Sequence, residues 1–186
     1  MTDQPAAAPP SEQPTIRDAG EDDLVRVQAI YAHHVLNGLA SFELEAPDLA
    51  EIRRRFRATG AAGFPFLVAE LGGDVVGFAY AGPYRPRPAY RYSVENSVYV
   101  APEALRRGVS RALLQRLIEL CQQLGARQMI AVIGDSANQA SIAAHERLGF
   151  VRAGELRSVG FKHGRWVDCV IMQLPLGPGD DTLPED

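Results

Sequence analysis

A strand, a basic turn and the start of a helix follow one another in residues 97–114, SVYVAPEALRRGVSRALL. Backbone N–H groups at a helix start, reached through Gly108 and flanked by Arg106, Arg107 and Arg111, suit a diphosphate. A basic helix start with one glycine also occurs as plain structure. The segment has neither the Walker pattern nor the three glycines of the dinucleotide fingerprint. The motif by itself therefore leaves both interpretations open.

Strand and helix patterns alternate on both sides of this motif. Period-2 and apolar runs predict strands at residues 15–17, 66–70, 75–81, 91–100, 128–133, 150–159 and 166–174. Periodicity and helix-end signals predict helices at residues 22–36, 48–59, 107–124 and 138–148. The order β-α-α-β-β-β-α-β-α-β-β predicts an α/β layer protein with a mixed sheet, antiparallel early and parallel around the long helix.

Length and charge favour one domain between two tails. The 186 residues suffice for one core. Residues 1–14, rich in Ala and Pro, and residues 175–186, rich in Gly, Pro and acid, are predicted to be mobile because such compositions do not bury apolar surface. The tails hold six acidic residues and no basic ones, so the net charge of −4 becomes +2 for residues 15–174. Eighteen of the 19 basic residues are arginine, which favours anion recognition, although a coding bias explains the excess equally well.

Several classes of protein are excluded or disfavoured by composition. No apolar run reaches the roughly 18 residues that span a bilayer, and no signal peptide is evident, so a cytoplasmic location is expected. Cys121 and Cys169 show no metal spacing and are predicted to be buried thiols, and no metal site is expected. The arginine run at residues 53–57 is predicted to be the solvated face of a helix rather than a surface for nucleic acid.

A second motif, NQASIAAHERLGF at residues 138–150, is a helix led by Asn138 and closed by Gly149 and Phe150. Together with the first motif it resembles the GNAT acetyltransferase superfamily. Four further blocks resemble the phosphinothricin and methionine sulfone/sulfoximine N-acetyltransferases: IYAHHVLN (30–37), YRYSVENSVYV (90–100), AVIGDS (131–136) and GFKHGRW (160–166). The resemblance covers residues 15–174 and implies the GNAT fold, with a mixed sheet flanked by helices.

The resemblance implies a carrier site for acetyl-CoA. The pantetheine arm is expected to contact the backbone of Val98, Tyr99 and Val100, and Asn138 is expected to contact the carrier from the next helix. The pyrophosphate is expected against the loop formed by Arg106, Arg107, Gly108, Val109, Ser110 and Arg111. Leu105 and Ser110 depart from the family pattern, which usually has Gln or Arg and Gly or Ala there. We therefore expect weakened but retained binding of acetyl-CoA.

The resemblance also implies the reacting groups. Glu95 is expected to be the base, acting through water, with a backbone N–H near Tyr99 as the oxyanion donor. His145 stands where many GNAT enzymes have a Tyr that protonates the departing thiolate, and its reference pKa of about 6.5 suits that role. The residues alone would favour a surface carboxylate for Glu95 and a packing or capping role for His145.

The expected acceptor is a small amino-acid analogue: phosphinothricin, methionine sulfone or methionine sulfoximine. Arg85 and Arg91 match positions that hold the acceptor's carboxylate, and Phe42, Tyr90 and Tyr92 are candidates for its side-chain pocket. The resemblance further implies a homodimer involving the last hairpin, with Lys162 and Trp166. Two alternatives remain: another acceptor, such as a polyamine, an aminoglycoside or a protein N-terminus, or a non-catalytic module that binds acyl-CoA.

Overall fold

The computed structural model describes residues 13–184, in which seven strands and four helices alternate. The strands are β1 (Thr15–Asp18), β2 (Phe66–Leu71), β3 (Asp74–Pro83), β4 (Ser93–Val100), β5 (Gln128–Gly134), β6 (Val151–Lys162) and β7 (Arg165–Pro175). The helices are α1 (Leu24–Asn37), α2 (Leu49–Ala61), α3 (Val109–Gln123) and α4 (Gln139–Glu146). The predicted order of elements is confirmed, with ends that differ by a few residues.

The strands form one mixed sheet in the order β1-β2-β3-β4-β5-β7-β6. Only β4 and β5 are parallel, and every other neighbouring pair is antiparallel. One apolar cluster packs α1 and α2 on one face of the sheet, and a second packs α3 and α4 on the other. This arrangement confirms the predicted α/β class with a mixed sheet flanked by helices.

The parallel pair separates before its strands end. Its register runs from Ser93 opposite Gln128 to Asn96 opposite Ala131, while β4 continues to Val100 and β5 to Gly134. We call the opening between residues 97–100 and 132–134 the cleft. It exposes strand backbone in the middle of the sheet, where a ligand can replace the missing neighbour.

The two cysteines and the arginine run lie as predicted. Cys121 and Cys169 are buried free thiols. The arginines of residues 53–57 lie on α2, where their guanidinium groups pair with Glu21, Glu43 and Glu51. Within residues 13–184, no helix has the length and apolar character needed to cross a membrane.

The C-terminal segment differs from the predicted mobile tail over residues 176–183. Leu176 is fully buried in the core, and its N–H donates to Arg127 O over 2.9 Å. The Arg127 guanidinium in turn donates to Gly179 O, Thr182 Oγ1 and Leu183 O. One apolar side chain and one arginine fork thus hold a segment whose composition suggested disorder. Of the predicted N-terminal tail, residues 1–12 lie outside the described residues.

Candidate active site

A continuous groove follows the cleft from the start of α3 to the connection between α1 and α2. It consists of four adjoining cavities of about 460, 510, 50 and 470 Å³. Neighbouring cavities share lining residues, such as Ser110 at the first junction, Asn138 at the second and Tyr99 at the third. We call the first three cavities the carrier groove and the last one the acceptor cavity. The geometry suits a long ligand that meets a small one at its end.

Two hydrogen bonds determine which backbone groups of β4 face the cleft. At the ends of the β3–β4 ladder, Tyr84 N–H donates to Ser93 O over 3.1 Å and Ala101 N–H donates to Val76 O over 2.8 Å. Because successive residues of a strand direct their backbone groups to opposite edges, the odd-numbered residues of β4 bond to β3. The even-numbered residues direct N–H and C=O toward the cleft.

Val98 and Val100 are therefore the residues that offer backbone groups to a carrier. Tyr99 is paired with Phe78 in the ladder, so Tyr99 presents its side chain and not its N–H. The carbonyl of Val100 already accepts from His34 Nε2 over 2.9 Å. Of the three residues predicted to contact pantetheine, two are placed to use their backbone, and His34 is an additional residue at this edge.

The start of α3 has the geometry of an anion site. Arg106 and Gly108 have φ of 62° and 80°, and this left-handed turn brings the chain into the helix at Val109. The first-turn N–H groups of an α-helix have no partner within the helix and carry the positive end of its dipole. Arg106, Gly108, Ser110 and Arg111 line the adjoining cavity.

The remaining predicted carrier residues have different surroundings. The Val109 side chain is buried in the core, so only its backbone can contact a ligand, and Arg107 is exposed and does not line the cavity. Leu105 is 57% exposed and lines the groove, where it offers no polar group. Arg147, near the end of α4, lines the same cavity, although no sequence signal marked it.

Asn138 has both a structural and a lining role. Its Oδ1 accepts from Ser141 N over 3.2 Å, which caps the N-terminus of α4. The same residue lines two of the three cavities of the carrier groove. Because the cap uses only Oδ1, the amide nitrogen remains available to a carrier.

Glu95 lies on β4 with its side chain in the acceptor cavity. It is half-buried, and this burial raises the pKa of its carboxyl, while the Arg85 guanidinium acts in the opposite direction. Ser97, Tyr99 and Cys169 line the same cavity. A carboxylate with a raised pKa beside a cavity has the position and proton affinity of a general base.

His145 lies on α4, on the face of the sheet opposite to Glu95, and is 2% exposed. Its Nδ1 lies 2.8 Å from Ser141 O, and its Nε2 lies 3.1 Å from Asn96 Oδ1. A neutral imidazole donates from one nitrogen only, so these two oxygens favour the charged ring. Burial acts in the opposite direction and lowers the pKa of His145. Asn96 and His145 both line the smallest cavity, at the closed end of the cleft.

Two of the predicted acceptor residues, Phe42 and Arg85, are related to Glu95 in the structure. Phe42 lines the acceptor cavity, and the charge of Arg85 acts on Glu95, although the Arg85 side chain also stacks 4.7 Å over the Tyr84 ring. Arg85, Tyr90, Arg91 and Tyr92 are not among the residues that line this cavity, and the Arg91 guanidinium lies 4.5 Å over the Tyr92 ring. All four precede β4.

Sequence reasoning missed most of the wall opposite Glu95. Residues 38–48, which join α1 to α2, place Ala40, Ser41 and Glu43 in the acceptor cavity beside Phe42. Burial raises the pKa of Glu43, but hydrogen bonds from Arg55 and Tyr31 outweigh it and hold that pKa below its usual value. This connection has no regular structure, so no periodicity could identify it. Among residues 13–184, no group of three His, Cys, Asp or Glu is arranged to hold a metal ion.

Comparison with known proteins agrees with this geometry. Residues 28–150 match the model of the acetyltransferase (GNAT) family. The chain is 54% identical over 171 residues to a phosphinothricin N-acetyltransferase of Alcaligenes faecalis, covering 92% of this chain and 87% of the relative. It is 43% identical over 165 residues to an L-methionine sulfoximine/L-methionine sulfone acetyltransferase of Pseudomonas paraeruginosa, covering 88% and 95%.

A solved structure with the same fold contains acetyl-CoA. It is a GNAT superfamily phosphinothricin acetyltransferase from Sinorhizobium meliloti in complex with AcCoA. The two chains superpose with a TM-score of 0.91 at 46% sequence identity, over 94% of each chain. Similarity of this extent covers the sheet, the cleft and the helices around them.

Proposed function

This chain belongs to the GNAT acetyltransferase family, and we propose that it transfers the acetyl group of acetyl-CoA to the α-amino group of a small amino-acid analogue. Phosphinothricin, methionine sulfone and methionine sulfoximine are the acceptors that its relatives' names suggest. The observation that best supports the proposal is the junction of the carrier groove with the acceptor cavity beside Glu95. The proposed site of action is the cytoplasm.

The carrier binds through backbone and charge. The first-turn N–H groups of α3, together with Arg106, Arg111 and Arg147, hold the pyrophosphate. The pantetheine arm lies in the cleft as an additional strand and exchanges hydrogen bonds with the even-numbered residues of β4. The thioester then reaches the closed end of the cleft, where the acceptor cavity begins.

Glu95 prepares the acceptor. An amino acid arrives as an ammonium ion, which cannot attack a carbonyl carbon until it loses a proton. The Glu95 carboxylate takes that proton, directly or through one water. The raised pKa of Glu95 improves its strength as a base near neutral pH, because the ionised form then binds a proton more readily.

Attack by the amine forms a C–N bond and a tetrahedral oxyanion. The alternation along β4 assigns its donor to the N–H of Val98 or Val100, since the N–H of Tyr99 is committed to β3. The nitrogen of the intermediate, which is positively charged after the attack, loses its second proton to water as the intermediate collapses to the amide. The C–S bond breaks, and the sulfur leaves as a thiolate. His145, at the closed end of the cleft, supplies the proton that converts the thiolate to free CoA.

The acceptor's carboxylate is held by arginine. Arg85 is the candidate that the structure supports, because its charge reaches Glu95. Arg91 belongs to the same proposal as a second guanidinium from the connection between β3 and β4. A cationic binding site selects amino acids and their analogues over polyamines and aminoglycosides, which carry positive charge themselves.

A homodimer is part of the proposal. The β6–β7 hairpin lies at the edge of the sheet and exposes a row of large apolar side chains: Val151, Leu156, Val159, Phe161 and Trp166. Phe161 and Trp166 pack edge to face with each other, and each is more than half exposed. An exposed apolar edge of this kind is typical of a surface that pairs with another copy.

Free-CoA release with a panel of acceptors tests the proposal. We expect turnover with methionine sulfone, methionine sulfoximine and phosphinothricin, and at least tenfold lower kcat/KM with spermidine or an aminoglycoside, since a desolvated charge mismatch is costly. The variant Arg85→Ala should raise the KM of the amino acids, while Arg87→Ala, a neighbouring exposed arginine, should not. Turnover with polyamines alone would assign another acceptor, and acetyl-CoA binding without any turnover would indicate a non-catalytic module.

A further inference from the structure

Lys162 is the only lysine of the chain, and it is buried. It ends β6, is 3% exposed, and its Nζ donates to Ser41 O over 2.7 Å. The other 18 basic residues are arginines, and most of them lie at the surface. A compact ammonium fits a narrow buried position and can direct one N–H at a single carbonyl, whereas a planar guanidinium presents five donors in a fixed fork.

The carbonyl that Lys162 holds belongs to the wall of the acceptor cavity. We call residues 38–48, which join α1 to α2 without helix or strand, the acceptor loop. Ser41 is one of four consecutive residues of this loop, 40–43, that line the cavity. Lys162 therefore contacts the acceptor cavity through one residue, and it is not among the residues that line the carrier groove.

Two glycines bring the acceptor loop close to the sheet. A Cβ at Gly134 would lie 2.3 Å from Leu39 O, and a Cβ at Gly160 would lie 2.6 Å from the Phe42 ring. Both approaches are shorter than any side chain allows, so the loop backbone and Phe42 occupy space that these glycines leave open. Gly160 is two residues from Lys162 on the same strand, so β6 contacts the loop at two points.

A polar network continues from Ser41 to Glu43. The Ser41 hydroxyl lies 3.0 Å from the Tyr31 hydroxyl and accepts from Glu43 N over 3.3 Å. Tyr31 OH donates to Glu43 Oε1 over 2.8 Å, and Arg55 donates to the same carboxylate over 2.6 Å. Burial lowers the pKa of Lys162, and the Glu43 carboxylate, which favours the charged form, offsets only part of this shift. The ammonium thus fixes one end of a network whose other end is a carboxylate in the cavity.

We propose that Lys162 is a positioning residue for the acceptor: by holding the Ser41 carbonyl it sets the wall formed by Ser41, Phe42 and Glu43. The proposal rests on the proposed function, in which this cavity receives the amino acid. It also makes the β6–β7 hairpin a part of the acceptor site through one buried hydrogen bond. Gly38, Leu39 and Ala40 of the same loop also line the carrier groove, but Lys162 holds the loop at Ser41, so we expect a much smaller effect on the carrier than on the acceptor.

Steady-state kinetics of three variants test the proposal. Lys162→Met removes the donor and the charge, Lys162→Gln keeps an N–H donor without the charge, and Arg157→Met removes an exposed cation from the same strand as a matched control. A lost hydrogen bond from a charged group should raise the acceptor KM about tenfold or more in Lys162→Met. The acetyl-CoA KM should stay within about twofold, Lys162→Gln should lie between Lys162→Met and wild type, and Arg157→Met should match wild type. Equal changes in both KM values, or none, would overturn the proposal.

The single lysine also provides a direct spectroscopic signal. Protein labelled with ¹³C-lysine should give one Cε signal, and addition of methionine sulfone to the wild type should shift it, whereas CoA alone should leave it in place. Because this measurement uses the wild-type chain, it stands even if Lys162→Met fails to fold. A Cε signal that does not shift when methionine sulfone is added would contradict a positioning role.

Amide hydrogen exchange tests the role of Lys162 independently of whether the protein acetylates amino acids. Amides of residues 38–48 should exchange about tenfold faster in Lys162→Met or Lys162→Gln than in wild type, with β5 unchanged. If no amino acid is acetylated, the proposed function fails, while faster exchange in the loop still supports the contact with Lys162. Unchanged exchange in the loop would overturn the positioning role whether or not the enzyme is active.

Discussion

Glu95 and Asn96 are adjacent, yet they serve opposite faces of the sheet. The Glu95 side chain enters the acceptor cavity on the face of α1 and α2. The Asn96 side chain points to the face of α4, where its Oδ1 meets His145 Nε2 and its Nδ2 donates to Ile130 O over 3.2 Å. The alternation of side chains along a strand therefore separates the proposed base from the proposed acid. In the proposed mechanism Glu95 acts on the amine from one face of the sheet, and His145 acts on the departing sulfur from the other.

The acid limb of the pH profile should report Glu95. A base must be ionised to accept a proton, so kcat/KM is lost as the pH falls through the pKa of Glu95, which burial has raised. Arg85 opposes that rise. In Arg85→Ala the pKa of Glu95 should increase further, and the acid limb should move to higher pH.

Free-CoA release measured across pH in wild type, Arg85→Ala and Arg87→Ala shows the direction in which the acid limb moves. Arg87 lies in the same connection and is exposed, so its removal should leave the limb in place. An acid limb at the same pH in Arg85→Ala and wild type would show that the Arg85 charge does not act on Glu95.

At the scale of elements, the start of α3 and the edge of β4 together make the carrier groove. The turn at Arg106 and Gly108 delivers the helix N-terminus to the groove, and the early separation of β4 from β5 opens the backbone beyond Asn96. Both features present backbone groups rather than side chains to the groove. For this reason we expect acetyl-CoA binding to be retained with Leu105 and Ser110, although the family pattern has other residues there.

Leu105→Gln should strengthen acetyl-CoA binding. Leu105 is 57% exposed and lines the groove, so a polar side chain of similar length has room to reach the carrier. One added neutral hydrogen bond should lower the Kd by about three- to tenfold. Calorimetry of wild type and Leu105→Gln measures this, with Leu105→Met as the control that changes shape without adding a polar group. Equal affinities in all three proteins would show that this position does not face the carrier.

Local patterns explain why the elements could be predicted and the acceptor wall could not. Apolar periodicity placed α3, and alternation placed β4 with Glu95 and the residues that follow it. The contact between Lys162 and Ser41 joins positions 121 residues apart, through a loop without periodicity, so only the fold brings them together. The same holds for Arg147 in the carrier groove and for Leu176, whose burial depends on a neighbouring strand.

In the whole molecule, the β6–β7 hairpin connects the proposed dimer surface with the acceptor loop. Its outer side exposes Phe161 and Trp166, while its inner side provides Gly160 and Lys162 to the acceptor loop. Pairing of two hairpins would therefore stabilise the element that supports the acceptor cavity. We expect dimerisation and acceptor binding to favour each other for this reason.

The proposed dimer predicts a mass near twice the monomer's 20.2 kDa in light scattering after gel filtration. Trp166→Glu, which puts a charge at a side chain that is 65% exposed, should shift the population toward the monomer. Its unfolding midpoint should change little at high dilution, because the monomer buries little of this side chain. A wild type that remains monomeric at millimolar concentration would contradict the dimer.

The rate of acetyl transfer by wild type and Glu95→Gln, with methionine sulfone as acceptor, tests whether Glu95 is the base of the reaction. Glu95→Gln keeps the size of the side chain and removes its proton affinity, so kcat should fall by about 10²–10⁴ while the acetyl-CoA KM stays within twofold. Acetyl-CoA binding measured by calorimetry confirms that the carrier groove is intact in the variant. Wild-type turnover that Glu95→Gln retains in full would contradict the assignment of Glu95 as the base.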